Sequence, residues 1–222
     1  MPRYPVSLIK CLGILLLLIS FSCVAEEKKY LALGDSYTIG EGVAEVGSWP
    51  NQLVGLLREK GLRFAKPLII AGTGWQVEDL KQAVTEAKLS NGYDLVSLLI
   101  GVNDQYRGNS TDQYAKEFDE LTLMAIQLAK GKKANVFVVS IPDYGWTPFG
   151  ESRQAEISDE IDQFNAINKA IADKHGIAYV DITEISRAGL KDTALVAEDS
   201  LHPSWKMYRL WAERISKSLD LH

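Results

Sequence analysis

Cysteine is nearly missing from this chain: of 222 residues only Cys11 and Cys23 are cysteines. Both fall in an N-terminal stretch with the grammar of a secretory leader. Arg3 and Lys10 supply a basic start, residues 11–21 are almost wholly apolar, and Cys23-Val24-Ala25 ends in small residues ahead of Glu26-Glu27-Lys28-Lys29. The apolar run falls short of the roughly 20 residues needed to span a bilayer, so residues 1–25 read as a signal peptide and not as a transmembrane span. Cleavage after Ala25 leaves no cysteine, which excludes a disulfide framework, a thiolate metal site and a cysteine nucleophile together.

Excess positive charge is the second absence. Lys and Arg number 24 against 29 Asp and Glu, for a net charge of −5, and loss of Arg3 and Lys10 with the leader makes it −7. An acidic chain with no basic stripe to neutralise phosphates is not expected to take nucleic acid as a partner. Histidine is scarce too, with His175, His202 and His222 alone. Without cysteine beside them, too few ligands remain for a zinc site, and neither metal nor cofactor is expected. No internal repeat, low-complexity tract or linker interrupts the sequence, so residues 26–222 read as one domain, long enough for a single core. Export to the periplasm or the exterior follows from the leader. The alternative at this point is a membrane-anchored lipoprotein, because Ser20-Phe21-Ser22-Cys23 loosely matches a lipoprotein signal in which Cys23 is lipidated, although Ser20 stands where leucine is usual.

What the chain does have is regular alternation. Short apolar runs at residues 29–34, 67–71, 94–100, 135–141 and 177–182 read as five strands. Between them lie helical faces: Trp49, Leu53, Leu56 and Leu57 after a Ser48 cap; Val77, Leu80, Val84 and Ala87; Tyr114, Phe118, Leu121, Ala125 and Leu128 after Ser110 and Gln113 at capping-box spacing; Ile157, Ile161, Phe164, Ile167 and Ile171. A short helical piece near Ile185 and a last helix with Tyr208, Trp211, Ile215 and Leu219 complete the chain. Connections of this length predict an α/β fold, a five-stranded parallel sheet between two helical layers. Ligands bind such sheets beyond the carboxyl ends of the strands. Ser36 follows the first strand, Gly74 the second, Asn103 the third and Tyr144 the fourth, so all four open on one rim, and Asp199 to His202 follow the fifth.

A serine hydroxyl needs a base within hydrogen-bond reach to act as a nucleophile. His222 is the last residue and His175 sits at a helix C-terminus where an imidazole has a structural reason to be, so His202 is the base by elimination. Asp199, three residues earlier, is near enough to orient its ring. Acyl transfer also requires donors for the oxyanion: the backbone N–H of Ser36, that of Gly74, and the side-chain amide of Asn103 are the candidates, with Gly72 an open alternative to Gly74. Tyr144, Trp146 and Phe149 after the fourth strand, with Tyr106 and Arg107 after the third, are candidates to line an acyl or aryl pocket; core packing is an equal account of Trp146 and the better one of Trp49 and Trp211. Asp35 and Asp104 read as structural, bonding loop backbone. Each motif alone is an ordinary turn or cap.

Together the residues resemble the SGNH hydrolases, also called the GDSL esterase/lipase family. The blocks are Gly34-Asp35-Ser36, Gly74, Gly101-Val102-Asn103-Asp104 and Asp199-Ser200-Leu201-His202-Pro203, in that order over nearly all of residues 26–222. The family's usual leucine after the serine is Tyr37 here, and the second block lacks its asparagine and offers two glycines in Ala71-Gly72-Thr73-Gly74. The resemblance implies a flavodoxin-like three-layer sandwich. It also implies Ser36 as nucleophile, Asp199 and His202 as acid and base, and Gly74 and Asn103 as oxyanion donors with Ser36. The expected function is a metal-independent serine esterase acting on lipid or small-alcohol esters. Deacetylation of a carbohydrate or cell-envelope polymer, or thioesterase or lysophospholipase activity, uses the same machinery, and a ligand-binding member without turnover is the non-enzymatic alternative.

Overall fold

Strand β1 (Tyr30–Asp35) is buried along its whole length, as a strand covered on both faces must be. It lies inside a five-stranded sheet with β2 (Leu68–Gly72) on one side and β3 (Leu95–Leu99), β4 (Val136–Val139) and β5 (Ala178–Val180) on the other. Every neighbouring pair is parallel, Leu33 standing opposite Ile70 on one flank and Leu98 on the other. The order β2-β1-β3-β4-β5 is the flavodoxin-like one. The computed structural model describes residues 1–2 and 26–219. Residues 3–25 of the expected leader, with both cysteines, and His222 lie outside them.

Helices sort into two layers because the chain reverses direction once. From β1 it moves outward to β2 through α2 (Trp49–Glu59); it then turns back across β1 through α3 (Val77–Glu86) and keeps that direction through α5 (Thr111–Leu128) and α6 (Gln154–His175). Right-handed crossovers in opposite directions fall on opposite faces. Accordingly α3 packs on α5 and α5 on α6, while α2 packs on the last helix, α8 (Trp205–Ser218). The expected sandwich is therefore the observed one. Its core includes Trp49, Trp211, Tyr114, Phe118 and Phe137, none exposed, each contributing on the order of 2–3 kcal/mol by leaving water.

Local chemistry explains most boundaries. Ser110 Oγ accepts from the N–H of Gln113 at 3.2 Å and caps α5, although Gln113 turns its own amide to Glu117 and leaves the capping box half made. Gly176, at φ 66°, ends α6. His175, one residue earlier, bonds Asp119 at 2.6 Å and ties α6 to α5. Ser48 holds the cap position of α2 but its hydroxyl takes the Asn51 side chain instead of a backbone N–H.

Short helices follow two of the strands. The chain after β1 turns at once into α1 (Ser36–Ile39), and the chain after β3 into α4 (Val102–Tyr106). Residues 142–153 contain two 3₁₀ turns, Tyr144–Trp146 and Glu151–Arg153. The helical piece near Ile185 is α7 (Thr183–Ser186). No helix among the described residues is long and apolar enough to cross a membrane.

Candidate active site

The turn from β1 into α1 is built around residues with no room to be anything else. A side chain at Gly34 would run into Thr38 and the carbonyl of Leu99, so glycine lets α1 fold back against the sheet. Asp35 caps that helix, its Oδ1 accepting from the N–H of Tyr37 at 3.0 Å. The carboxyl is wholly buried, and burial, reinforced by Asp104 and Glu41 nearby, pushes its pKa up to about 8. Ser36, the first residue of α1, is held at the carboxyl edge of the sheet with its hydroxyl at the floor of a cleft.

His202 arrives from the far end of the chain. The segment after α7 doubles back on itself through an antiparallel bridge between Val196 and Pro203, and Ala197 N–H donates to the His202 carbonyl at 2.7 Å. Within that loop Asp199 Oδ1 accepts from the N–H groups of Leu201 and His202, both at 2.9 Å, and Oδ2 meets His202 Nδ1 at 2.6 Å. Burial pushes the Asp199 carboxyl up, but those backbone donors and the imidazole outweigh it and hold the group below its ordinary range. His202 Nε2 lies 3.0 Å from Ser36 Oγ. The tautomer that satisfies both contacts donates from Nδ1 to the carboxylate and leaves Nε2 as acceptor for the serine proton. The edge of Tyr37 supports the ring, with centroids 5.6 Å apart.

Ser36 and His202 line a cavity of about 240 Å³ together with Gly74, Asn103, Tyr106, Tyr144 and Phe149. Gly74 has φ 74°, a conformation that favours glycine, and its carbonyl accepts from Arg107 Nη2 at 3.1 Å. Gly72 does not line the cavity: it ends β2 and packs under the Trp75 ring. Asn103 stands in the first turn of α4, and its Nδ2 donates to the Trp75 carbonyl at 2.9 Å, which orients the amide. Asp104 ties α4 to the start of α3 by accepting from Val77 N–H at 3.1 Å. Asp35 and Asp104 thus bond backbone, as expected of them.

The aromatic wall is a triangle. Tyr106, Tyr144 and Phe149 have ring centroids 6.3 to 6.5 Å apart. Trp146, a candidate for the wall or for the core, is not part of it. The 3₁₀ turn that carries it points the indole the other way, where Lys191 lies 5.4 Å from its centroid. Arg107, also expected in the wall, instead clamps Gly74 and Gln76. The turn itself is anchored from below: Asp143 accepts from Gly145 N–H at 2.9 Å, Ser158 Oγ at 2.6 Å and Arg187 Nε at 2.9 Å.

One group near the imidazole was not anticipated. Glu41 Oε2 lies 3.9 Å from His202 Nε2 and accepts from Thr73 Oγ1 at 2.6 Å. The only hint in the sequence is its place between Gly40 and Gly42, both at positive φ, which mark a tightly wound loop.

A model of the GDSL-like lipase/acylhydrolase family matches residues 32–210. The chain belongs to that family. An acetylxylan esterase from Geobacillus stearothermophilus is similar, 27% identical over 206 residues, covering 82% of this chain and 89% of that protein. Among solved structures, Axe2, an acetylxylan esterase from Geobacillus stearothermophilus, superposes with TM-score 0.70 at 24% identity over 88% of this chain and 95% of its own. TesA superposes with TM-score 0.69 at 16% identity over 87% and 98%. At these identities the structures bear on the fold, and the family match makes this GDSL-like chain an ester-hydrolysing type of enzyme.

Proposed function

We propose that this GDSL-like hydrolase is a serine esterase in which Ser36, His202 and Asp199 work as a unit. The observation that carries the reading is the unbroken chain of contacts from Ser36 Oγ through both ring nitrogens of His202 to Asp199. His202 Nε2 takes the hydroxyl proton as Ser36 Oγ bonds to the ester carbonyl carbon, and Asp199 stabilises the imidazolium formed. The carbonyl oxygen, now an anion, accepts from Asn103 Nδ2, whose second N–H is not used by Trp75, and from the N–H groups of Ser36 and Gly74. Collapse expels the alkoxide, which takes the proton from Nε2 and leaves the acyl group on Ser36. Water then enters, gives a proton to Nε2 and releases the acid, and the proton returns to Ser36 Oγ.

The acyl group is proposed to be short. A cavity of about 240 Å³ falls below the roughly 300–1,000 Å³ typical of drug-sized pockets, which suits an acetyl or small aryl group better than a fatty chain. An acetyl ester of a carbohydrate is the second reading, favoured by the acetylxylan esterase relative. Ser36→Ala is expected to reduce p-nitrophenyl acetate hydrolysis to the buffer rate and to abolish labelling by a fluorophosphonate, with far-UV circular dichroism unchanged. Hydrolysis at the wild-type rate in that variant would overturn the mechanism, and a wild-type protein that takes no label would point to a binding protein.

A further inference from the structure

The leaving alcohol of any ester cleaved here must bring its oxygen within hydrogen-bond distance of His202 Nε2, because that nitrogen returns the proton. A group close to Nε2 is therefore placed to meet the alcohol. Glu41 is one such group, with Oε2 at 3.9 Å from Nε2. We propose that Glu41 and Thr73 form an alcohol subsite that recognises a polyhydroxylated leaving group, such as a partly acylated sugar, by accepting a hydrogen bond from the hydroxyl next to the ester. This rests on the serine-esterase reading and adds the alcohol side of the substrate, at the Thr73 edge of the cavity that also holds the aromatic triangle.

Three observations support the subsite. First, the carboxylate is fixed. Glu41 N–H donates to the Ser36 carbonyl at 3.0 Å, its own carbonyl accepts from Tyr208 Oη at 3.4 Å, and Thr73 Oγ1 holds Oε2 at 2.6 Å. Thr73 itself lines the cavity. Second, the carboxylate is free to accept. It has about four lone-pair sites, of which Thr73 occupies one, and among the described residues no lysine or arginine forms an ion pair with it. Third, the group is open to a ligand, with its side chain 36% exposed. An acceptor-only group with spare lone pairs, held beside the leaving oxygen, matches hydroxyl donors on an adjacent carbon. It offers nothing to a plain alkyl or aryl alcohol. A hydrogen bond from a neutral donor to a charged acceptor is among the stronger ones, so the expected selectivity is on the order of tenfold or more.

The test compares two acetyl esters that differ only on the alcohol side: methyl β-xyloside carrying one acetyl group beside a free hydroxyl, and p-nitrophenyl acetate. The readout is the ratio of their kcat/KM values. Glu41→Ala is expected to lower the ratio at least tenfold, Thr73→Val to lower it in the same direction by releasing the carboxylate, and Thr73→Ser to keep it near wild type. An unchanged ratio in Glu41→Ala overturns the proposal, whether both rates hold or both fall together, since a parallel fall assigns Glu41 to the imidazole or to the fold. Turnover of p-nitrophenyl acetate by the wild-type protein with none of the xyloside ester also overturns it. Failure of the underlying esterase reading is separate: it shows as wild-type protein that neither hydrolyses p-nitrophenyl acetate nor takes a fluorophosphonate at Ser36.

Discussion

Asn103 carries two N–H bonds on its side-chain amide, and the fold uses one of them to hold the other still. Donation to the Trp75 carbonyl at 2.9 Å fixes the amide plane, so in the proposed mechanism the second N–H needs no reorganisation when negative charge develops. Asn103→Ala is expected to lower kcat for p-nitrophenyl acetate by about 10²–10³ with a much smaller change in KM, because the bond it removes strengthens in the transition state. A KM effect without a kcat effect in steady-state kinetics would contradict that role. At this scale the sequence reveals residues whose chemistry is rare. His202 stood out because His175 and His222 had other places to be, and Ser36 because it ends a buried run. Glu41 was invisible for the opposite reason: it is one of 29 acidic residues and its partner Thr73 is distant in sequence. The sequence leaves Trp146 between pocket and core, because a 3₁₀ turn sends consecutive side chains in different directions and composition says nothing of which way.

Elements decide which of those residues meet. The aromatic triangle depends on a turn whose underside is charged and buried: Asp143 has no exposed side-chain surface, and Arg187, which reaches it from just after α7, also binds Asp162 and Glu184. Desolvation works against the Arg187 charge, but its three carboxylate partners outweigh it and raise its pKa, so it stays ionised at any working pH. Removing it strands the Asp143 carboxylate, and breaking a buried pair costs roughly 3–5 kcal/mol; Ser158 and Gly145 still bond Asp143, which sets the expectation at about 3 kcal/mol. Arg187→Ala is thus expected to lower the urea midpoint accordingly and to raise KM for aryl esters by loosening Tyr144 and Phe149. A variant as stable as wild type would show that Arg187 only decorates the surface. Long amphipathic elements such as α5 and α6 were legible from their period, whereas α1 and α4 were not. Four or five residues do not complete two turns, so no periodicity can report them, and their existence is imposed by the Asp35 cap and by Gly101 at φ 126°.

For the molecule as a whole, five buried runs announce a parallel sheet but not who lies beside whom. Strand order follows from crossover handedness and from the single reversal between β2 and β3, which opens a crevice between the ends of β1 and β3. Two buried acids stand at that crevice, Asp35 at the end of β1 and Asp104 in α4, and they make stability depend on pH. Burial lifts Asp35 from 3.8 to about 8 and Asp104 from 3.8 to about 6. Between the unfolded and folded values the native state keeps protons that the unfolded chain has released, so the free energy of unfolding falls as pH rises. Their contribution is complete below about pH 4 and is lost as pH climbs through 6 and then 8. Asp119 and Asp199 run the other way, with pKa values held low by lysine, histidine and backbone donors; their stabilisation is lost only as pH falls below the ordinary carboxylate range. They therefore do not mask the effect above it. Differential scanning calorimetry is expected to show the melting temperature dropping on the order of 10 °C between about pH 5 and pH 8.5, at the few degrees per kcal/mol usual for a chain of this size. Asp35→Asn keeps an oxygen to cap Tyr37 but cannot ionise. It should remove the drop between about pH 6 and pH 8 and lessen the slope below pH 6, leaving only the loss due to Asp104, which is complete by about pH 6. An equally steep loss above pH 7 in Asp35→Asn would mean that the proton lost there comes from another group.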